Sequence, residues 1–412
     1  MAFPRRPKLF VEAFVGPRRR LLLLVFVVGA VGGLVGAAYV GVLKLMQRAL
    51  WPTHWSTTAH LGILVAVGIA VGLLTRILGT PGDVELLVNN IHVLGGAEDI
   101  HDLRSLIPVS LLCISSGGGM GPEAPLVQTT GGLGSWLAGR WNVSTVDTRT
   151  LTITGMAAGF TVLFGAPLGS AIFALEILHR RGLEYYEALL PAVIGSLTGY
   201  AVYLVVAAAG MEPVFRFPPV GDIHRADLVW GLACGVAGAV LAAAFTFLAR
   251  GLQWAFRQVG PGLRPVLGGL VLGLLAFWSP YALTFGEAQI NAIVTVKAAA
   301  TTFAVAMLAK LCGTTVTLSS GWRGGFIIPL FFMGVSLGRF THVLFPHTNE
   351  VVLMAALMAA VNCGVTKTPL GSTLVVTEMA GLRLLPPVLI ASVLSLFLTS
   401  EVALIHSQRE RM

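Results

Sequence analysis

The chain has 412 residues, and only 11% of them are Asp, Glu, Lys or Arg, against the ~25% of an ordinary soluble domain. Apolar residues other than glycine make up 55%, glycine adds 49 residues, mean hydropathy is +0.83 and the formal net charge is +8. So few charges cannot cover a water-facing surface of this size, which excludes a cytosolic enzyme, a disordered regulator and a nucleic-acid binder and leaves a polytopic membrane protein, whose apolar segments, read as helices, make the expected fold all-α.

The chain opens with Arg5, Arg6, Lys8 and the run Arg18-Arg19-Arg20, followed by a long apolar stretch from Leu21 to about Met46. Basic residues flanking a span hold that end in the cytoplasm. The apolar run is too long for a cleaved signal peptide. Residues 1–20 therefore read as a basic cytoplasmic segment. The mildly basic tail, 407–412, is expected on the same side of a plasma or inner membrane. Apolar segments follow at roughly 21–47, 61–78, 105–115, 122–140, 150–178, 187–209, 227–254, 265–283, 290–318, 326–345, 351–381 and 384–406. A simple span needs ~20 apolar residues. Several segments are shorter or are interrupted by Gly or Pro, the pattern of tilted, broken and re-entrant helices buried in protein. The polar stretch 211–226 divides a first membrane repeat, 21–210, from a second, 227–406. Cys113, Cys234, Cys312 and Cys363 all fall in apolar stretches without paired spacing and read as small core residues; no metal or cofactor is expected.

The two halves are copies. Met156-Ala157-Ala158, eight residues, Pro167-Leu168-Gly169-Ser170, five residues and Glu176 recur as Met358-Ala359-Ala360, eight residues, Pro369-Leu370-Gly371-Ser372, five residues and Glu378. Ser115-Ser116-Gly117, seven residues and Pro125-Leu126 recur as Ser319-Ser320-Gly321, seven residues and Pro329-Leu330. Leu133-Gly134 then falls opposite Leu337-Gly338. Duplicated halves in a membrane protein are a transporter signature, with the ligand site between the repeats.

Each half carries a glycine-rich approach to an apolar helix: Gly117 to Pro125 in the first, Gly321 to Pro329 in the second. Glycine permits tight turns and proline suits a helix's first turn, so both stretches read as helix N-termini. A helix N-terminus offers free N–H donors and about half a positive charge. Two such ends aimed at one point make an anion site that binds without trapping, since hydrogen bonds to a charged group are worth ~1.5–3 kcal/mol each. Convergence on one site favours inverted over parallel repeats. Glu123 sits at the mouth of the first helix end, where the second half has Ile327. Its carboxylate is itself an anion and is suited to occupy the site when deprotonated and leave it when protonated, a gate and a proton carrier in one side chain.

These residues resemble the CLC family of chloride channels and chloride/proton antiporters, of the prokaryotic type without CBS domains, over nearly the whole chain. The family's Gly-x-Glu-Gly-Pro motif is similar to Gly121-Pro122-Glu123-Ala124-Pro125, with Val127-Gln128 following. Its Gly-x-Phe-x-Pro motif is similar to Gly325-Phe326-Ile327-Ile328-Pro329, and its Ala-Pro-Leu-Gly-Ser helix to Ala166 through Glu176. The resemblance implies a homodimer in membrane lipid with one pore per subunit, inverted halves, and a small anion such as chloride exchanged for protons. It implies that Glu123 is the gating glutamate, that amides at Glu123, Ala124, Phe326, Ile327 and Ile328 hold the anion, with Gly121 and Gly325 also at the anion-binding site, and that no soluble regulatory domain follows the last span. Thr80, in Gly79-Thr80-Pro81-Gly82, is the candidate hydroxyl ligand.

The chain departs from the family pattern at four places. Pro122 removes one amide donor, and the loop at Thr80 matches loosely. No tyrosine follows Tyr281, so Ile405 and His406 fall nearest the family's pore tyrosine. Ile177 stands where well-studied antiporters carry an inner proton glutamate. A passive anion channel and a fluoride- or nitrate-preferring exchanger are therefore the alternative readings. Glu176 and Glu378 are expected to cap or bond within their own bundles. Lys310 and Lys367 are expected to neutralise carboxylates or to snorkel, and Arg323 either to draw anions into a vestibule or to meet lipid headgroups. A hydrolase built on Ser115 or Ser116 lacks a partnered histidine, and the serines recur as Ser319-Ser320, so no enzyme activity is expected.

Overall fold

The computed structural model describes residues 18–408 except 52–55, 83, 99, 181–183 and 212. Arg5, Arg6, Lys8 and the tail from Arg409 onward, which carry the expected placement of the termini, lie outside the described residues.

Among the described residues there are sixteen α-helices and no strand. Eight precede residue 211: α1 (Arg18–Leu50), α2 (Thr57–Leu78), α3 (Val84–Val93), α4 (Leu103–Ser115), α5 (Glu123–Arg140), α6 (Thr145–Phe164), α7 (Pro167–Glu176) and α8 (Leu189–Val206). Eight follow: α9 (Arg225–Arg257), α10 (Arg264–Trp278), α11 (Glu287–Thr295), α12 (Ala300–Ser319), α13 (Ile327–Leu344), α14 (Glu350–Thr366), α15 (Pro369–Ala380) and α16 (Leu385–Thr399). The order of long and short helices repeats: α1 and α9 both have 33 residues, α3 and α11 have 10 and 9, and α5 and α13 both have 18. Packing repeats too. α1 lies on α6 and α8 as α9 lies on α14 and α16, α5 lies on α6 as α13 lies on α14, and the halves join where α2 meets α10 and α7 meets α15.

Local chemistry sets the breaks. α6 starts at Ser144, whose hydroxyl accepts the Asp147 N–H at 3.1 Å, and ends at Gly165 in the left-handed region, a common helix stop. Two residues later Pro167 opens α7 at its first turn. The second half repeats the device, with Asn349 capping α14 and Pro369 opening α15, but its left-handed stop is Lys367. A lysine pays in backbone strain there. Its Nζ is held by the carbonyls of Gly364 and Thr399 at 2.5 and 2.6 Å and by the Thr399 hydroxyl at 2.9 Å. Lys310 is likewise fully buried, donating to the carbonyls of Leu283 and Thr284 and to Gln289 Oε1 at 2.7–2.8 Å, with Nζ 4.9 Å from the Phe332 ring. The expectation that these lysines neutralise carboxylates or snorkel is thus corrected: both staple backbone carbonyls left open at chain turns.

The burial pattern is that of a protein in lipid. Ile77, Val205 and Phe397 are strongly exposed on outer helices, whereas Thr152, Thr154, Thr161 and Thr314 are fully buried. Buried hydroxyls return their protons to the preceding turn, as Thr154 does to Thr150 O at 2.7 Å and Thr161 to Ala157 O at 2.8 Å, which satisfies them without water. Among the described residues, seven helices are long and apolar enough to cross a membrane. The chain is a multi-pass membrane protein, with α6 and α14 buried on nearly every side at its centre.

Candidate anion site at two converging helix ends

After α4 the chain turns at Gly117, whose φ of +98° lies in the left-handed region; Gly321, with φ of +87°, makes the same turn after α12. The first loop is fastened to the opposite half. Gly119 N–H donates to Thr317 Oγ1 at 3.1 Å and Gly119 O accepts from Thr314 Oγ1 at 2.9 Å. Both loops then meet. Gly121 N–H donates to Gly325 O at 2.7 Å and Gly325 N–H donates to Gly121 O at 2.5 Å, an antiparallel exchange. Opposed chain directions at this contact are what a two-fold relation between the copies requires, each residue meeting its own counterpart. From the paired glycines α5 and α13 depart, so two positive helix ends face one small region.

Glu123 occupies that region. It is the first residue of α5, its side chain is fully buried, and Oε1 accepts the N–H of Ile328 on α13. Oε2 has no hydrogen-bond partner among the described residues. The carboxylate of one half therefore sits on the helix end of the other. Glycine at 121 and 325 is explained by this placement: a Cβ built on Gly121 has the Glu123 carboxylate as its nearest neighbour, and one on Gly325 meets the same carboxylate and the Ala124 N at 2.8 Å.

A cavity of about 400 Å³ opens onto the site, lined by Ala124, Pro125 and Phe326 at the helix ends and by Gly82, Gln128, Ile405 and His406 beside them. Arg257, Arg264 and Arg323 also line it, against the single carboxylate of Glu85, which accepts the His406 N–H at 2.9 Å. Arg323 thus faces the cavity, not a lipid-facing surface. On the other side a narrow apolar cavity of about 20 Å³ joins Ala124, Phe326 and Ile327 to Ile177. Gly121, Glu123, Ala124, Gly325, Phe326, Ile327 and Ile328 are brought together. Thr80 is not: it is exposed at the end of α2, and Gly82 lines the cavity in its place. Ser115 and Ser116 donate their hydroxyls to Leu112 O and Cys113 O of their own helix at 3.3 and 3.1 Å, carbonyls and not a histidine.

Glu176 and Glu378 depart from expectation. Glu176 at the end of α7 accepts the N–H groups of Leu370 and Gly371 at 3.1 and 2.6 Å, and Glu378 on α15 accepts the N–H of Gly169 at 2.7 Å. They cap helices, but each caps the other half's helix and not its own bundle. The reason is the close crossing of α7 and α15, where Gly169 lies on Val375 and Gly371 on Phe173. The residue missed in the sequence is Gln128. One turn beyond Ala124 on α5, it faces the cavity, and the i, i+4 spacing from Ala124 is the signal that places it there.

Comparison with known proteins agrees with this architecture. The family model described as voltage gated chloride channel matches residues 101–400. The chain is 28% identical over 408 residues to the chloride/fluoride channel protein of Pseudomonas syringae pv. tomato, covering 92% of this chain and 85% of that one. Its structure is similar to that of a CLC-type fluoride/proton antiporter (TM-score 0.82, 23% identity, 99% of this chain and 100% of the other). It is also similar to a slow cyanobacterial Cl−/H+ antiporter (TM-score 0.81, 18% identity, 94% and 95%). The chain belongs to the voltage gated chloride channel (CLC) family.

Proposed function

We propose that this chain exchanges a small inorganic anion, chloride or fluoride, for protons across a plasma or inner membrane, working as a homodimer whose subunits each hold one pore built from repeats 21–210 and 227–406. The observation that carries the reading is the Glu123 carboxylate seated on the Ile328 amide where two helix ends converge. A site that accepts a carboxylate oxygen accepts a halide, and the two exclude each other. Deprotonated, Glu123 occupies the amides; protonated, it loses the charge that holds it there and yields to the anion. Anion entry and proton uptake are thereby linked through one position. The amides of Ala124, Phe326, Ile327 and Ile328 serve as the anion's ligands, whereas Gly121 and Gly325, expected among them, donate their N–H groups to each other's carbonyls and hold the two helix ends together. Arg257, Arg264 and Arg323 raise the local anion concentration at the cavity mouth.

The alternative of a passive channel is separated by purified protein in liposomes with an imposed anion gradient. Exchange predicts uphill proton movement in fixed proportion to anion flux; a channel gives none, with a reversal potential set by the anion alone. Repeating the run with chloride, fluoride and nitrate orders their preference.

A further inference from the structure

The one side-chain hydroxyl that the sequence offered, Thr80, does not line the cavity at the helix ends. The chain brings Ile405 and His406, not a tyrosine, to its wall. Gln128 stands in the same cavity. It is 2% exposed, and its Nε2 is buried without a hydrogen-bond partner among the described residues. An unpartnered donor in a protein interior is uncommon, because its desolvation is left uncompensated unless a ligand or water fills the gap. Position 128 lies four residues past Ala124 on α5, about 6 Å along the axis. Helical side chains lean toward the N-terminus, so a long one here reaches back over the turn that carries the site amides. The carboxamide end lies against the Cα of Gly82, where a Cβ would strike Nε2.

We infer that Gln128 is a side-chain anion ligand of the inner part of this path, its carboxamide N–H donating to the anion between the arginine-lined mouth and the helix-end amides. A neutral amide suits this position: it gives a conducted anion one directional hydrogen bond without the charge that would hold it there. The inference rests on the transport reading above and deepens it by naming a ligand that the helix ends do not supply.

The test is calorimetric titration of purified full-length protein with sodium chloride and sodium fluoride. In Gln128→Met, which keeps length and removes the donor, affinity for the preferred anion is expected to fall by about tenfold or more. The thermal midpoint of the anion-free protein should stay unchanged. Gly82→Ala supplies a second route, since the nearest atoms to its Cβ belong to the flexible end of Gln128 and the Leu86 side chain. It should weaken binding in the unmodified background and do nothing further in Gln128→Met, the non-additivity expected of one shared contact. Equal affinity in the unmodified and Gln128→Met proteins would overturn the assignment. Should Gln128→Met fail to fold, unchanged affinity in Gly82→Ala would overturn it instead. Additive losses would identify Gln128 as packing only. Absence of anion binding by the unmodified chain would overturn the transport reading and this ligand with it.

Discussion

The two halves meet at two crossings that treat their acids differently. Where α7 crosses α15 the symmetry is kept: Glu176 caps one helix and Glu378 caps its counterpart, each from the other half. Where the ends of α5 and α13 converge it is broken, with Glu123 on one side and Ile327 on the other. The first crossing is a reciprocal clamp, each acid accepting amide N–H groups at the start of the other half's helix. At the second, one carboxylate fills the space both helix ends offer, and a second beside it would be a like charge in a confined site. Duplication thus supplies the scaffold, and an acid present in only one of the two copies makes a vacancy-and-plug arrangement suited to exchange.

The comparison can be broken at either crossing. The largest effect is expected from Glu123→Gln: anion flux in liposomes persists while proton coupling and pH dependence disappear. Ile327→Glu restores symmetry at the broken crossing and should cut anion flux by about tenfold or more, because two carboxylates then face the same amides. At the kept crossing, Glu176→Ala and Glu378→Ala should each lower stability in detergent unfolding by ~1.5–3 kcal/mol, the worth of a charged hydrogen bond. Proton-to-anion stoichiometry should stay as it was. Changed stoichiometry in Glu378→Ala would remove the distinction between the crossings. Gly121→Ala, whose Cβ has the Glu123 carboxylate as its nearest neighbour, should flatten the pH dependence of flux only in part. The smallest effect belongs to Arg323→Gln, a roughly two- to threefold slower anion uptake at low ionic strength that vanishes as salt screens the mouth.

Much of this was legible in the residues because duplication writes itself twice. The glycine-rich turns at Gly117 and Gly321 and the prolines opening α7 and α15 mark the breaks in both halves. Hydropathy blurred what lies between. The apolar runs 150–178 and 351–381 each hold two helices, separated at Gly165 and Lys367, and α3 escaped notice because ten residues containing Asn89, Asn90 and His92 do not read as membrane-borne. The crossing caps of Glu176 and Glu378 were out of reach of a linear reading, since local spacing says nothing about which half an acid faces. Lys367 hid for a similar reason: its partners, the carbonyls of Gly364 and Thr399, are backbone groups that leave no mark in sequence.

The central claim is that an anion and the Glu123 carboxylate compete for the same amides. Titrating the purified chain with its preferred anion on the acid and alkaline sides of neutrality tests it directly, beside Glu123→Ala. Competition predicts that affinity rises as pH falls in the unmodified protein, because protonation removes the competitor, and that Glu123→Ala binds tightly at every pH. Affinity independent of pH in the unmodified protein, or weaker binding in Glu123→Ala, would contradict the account.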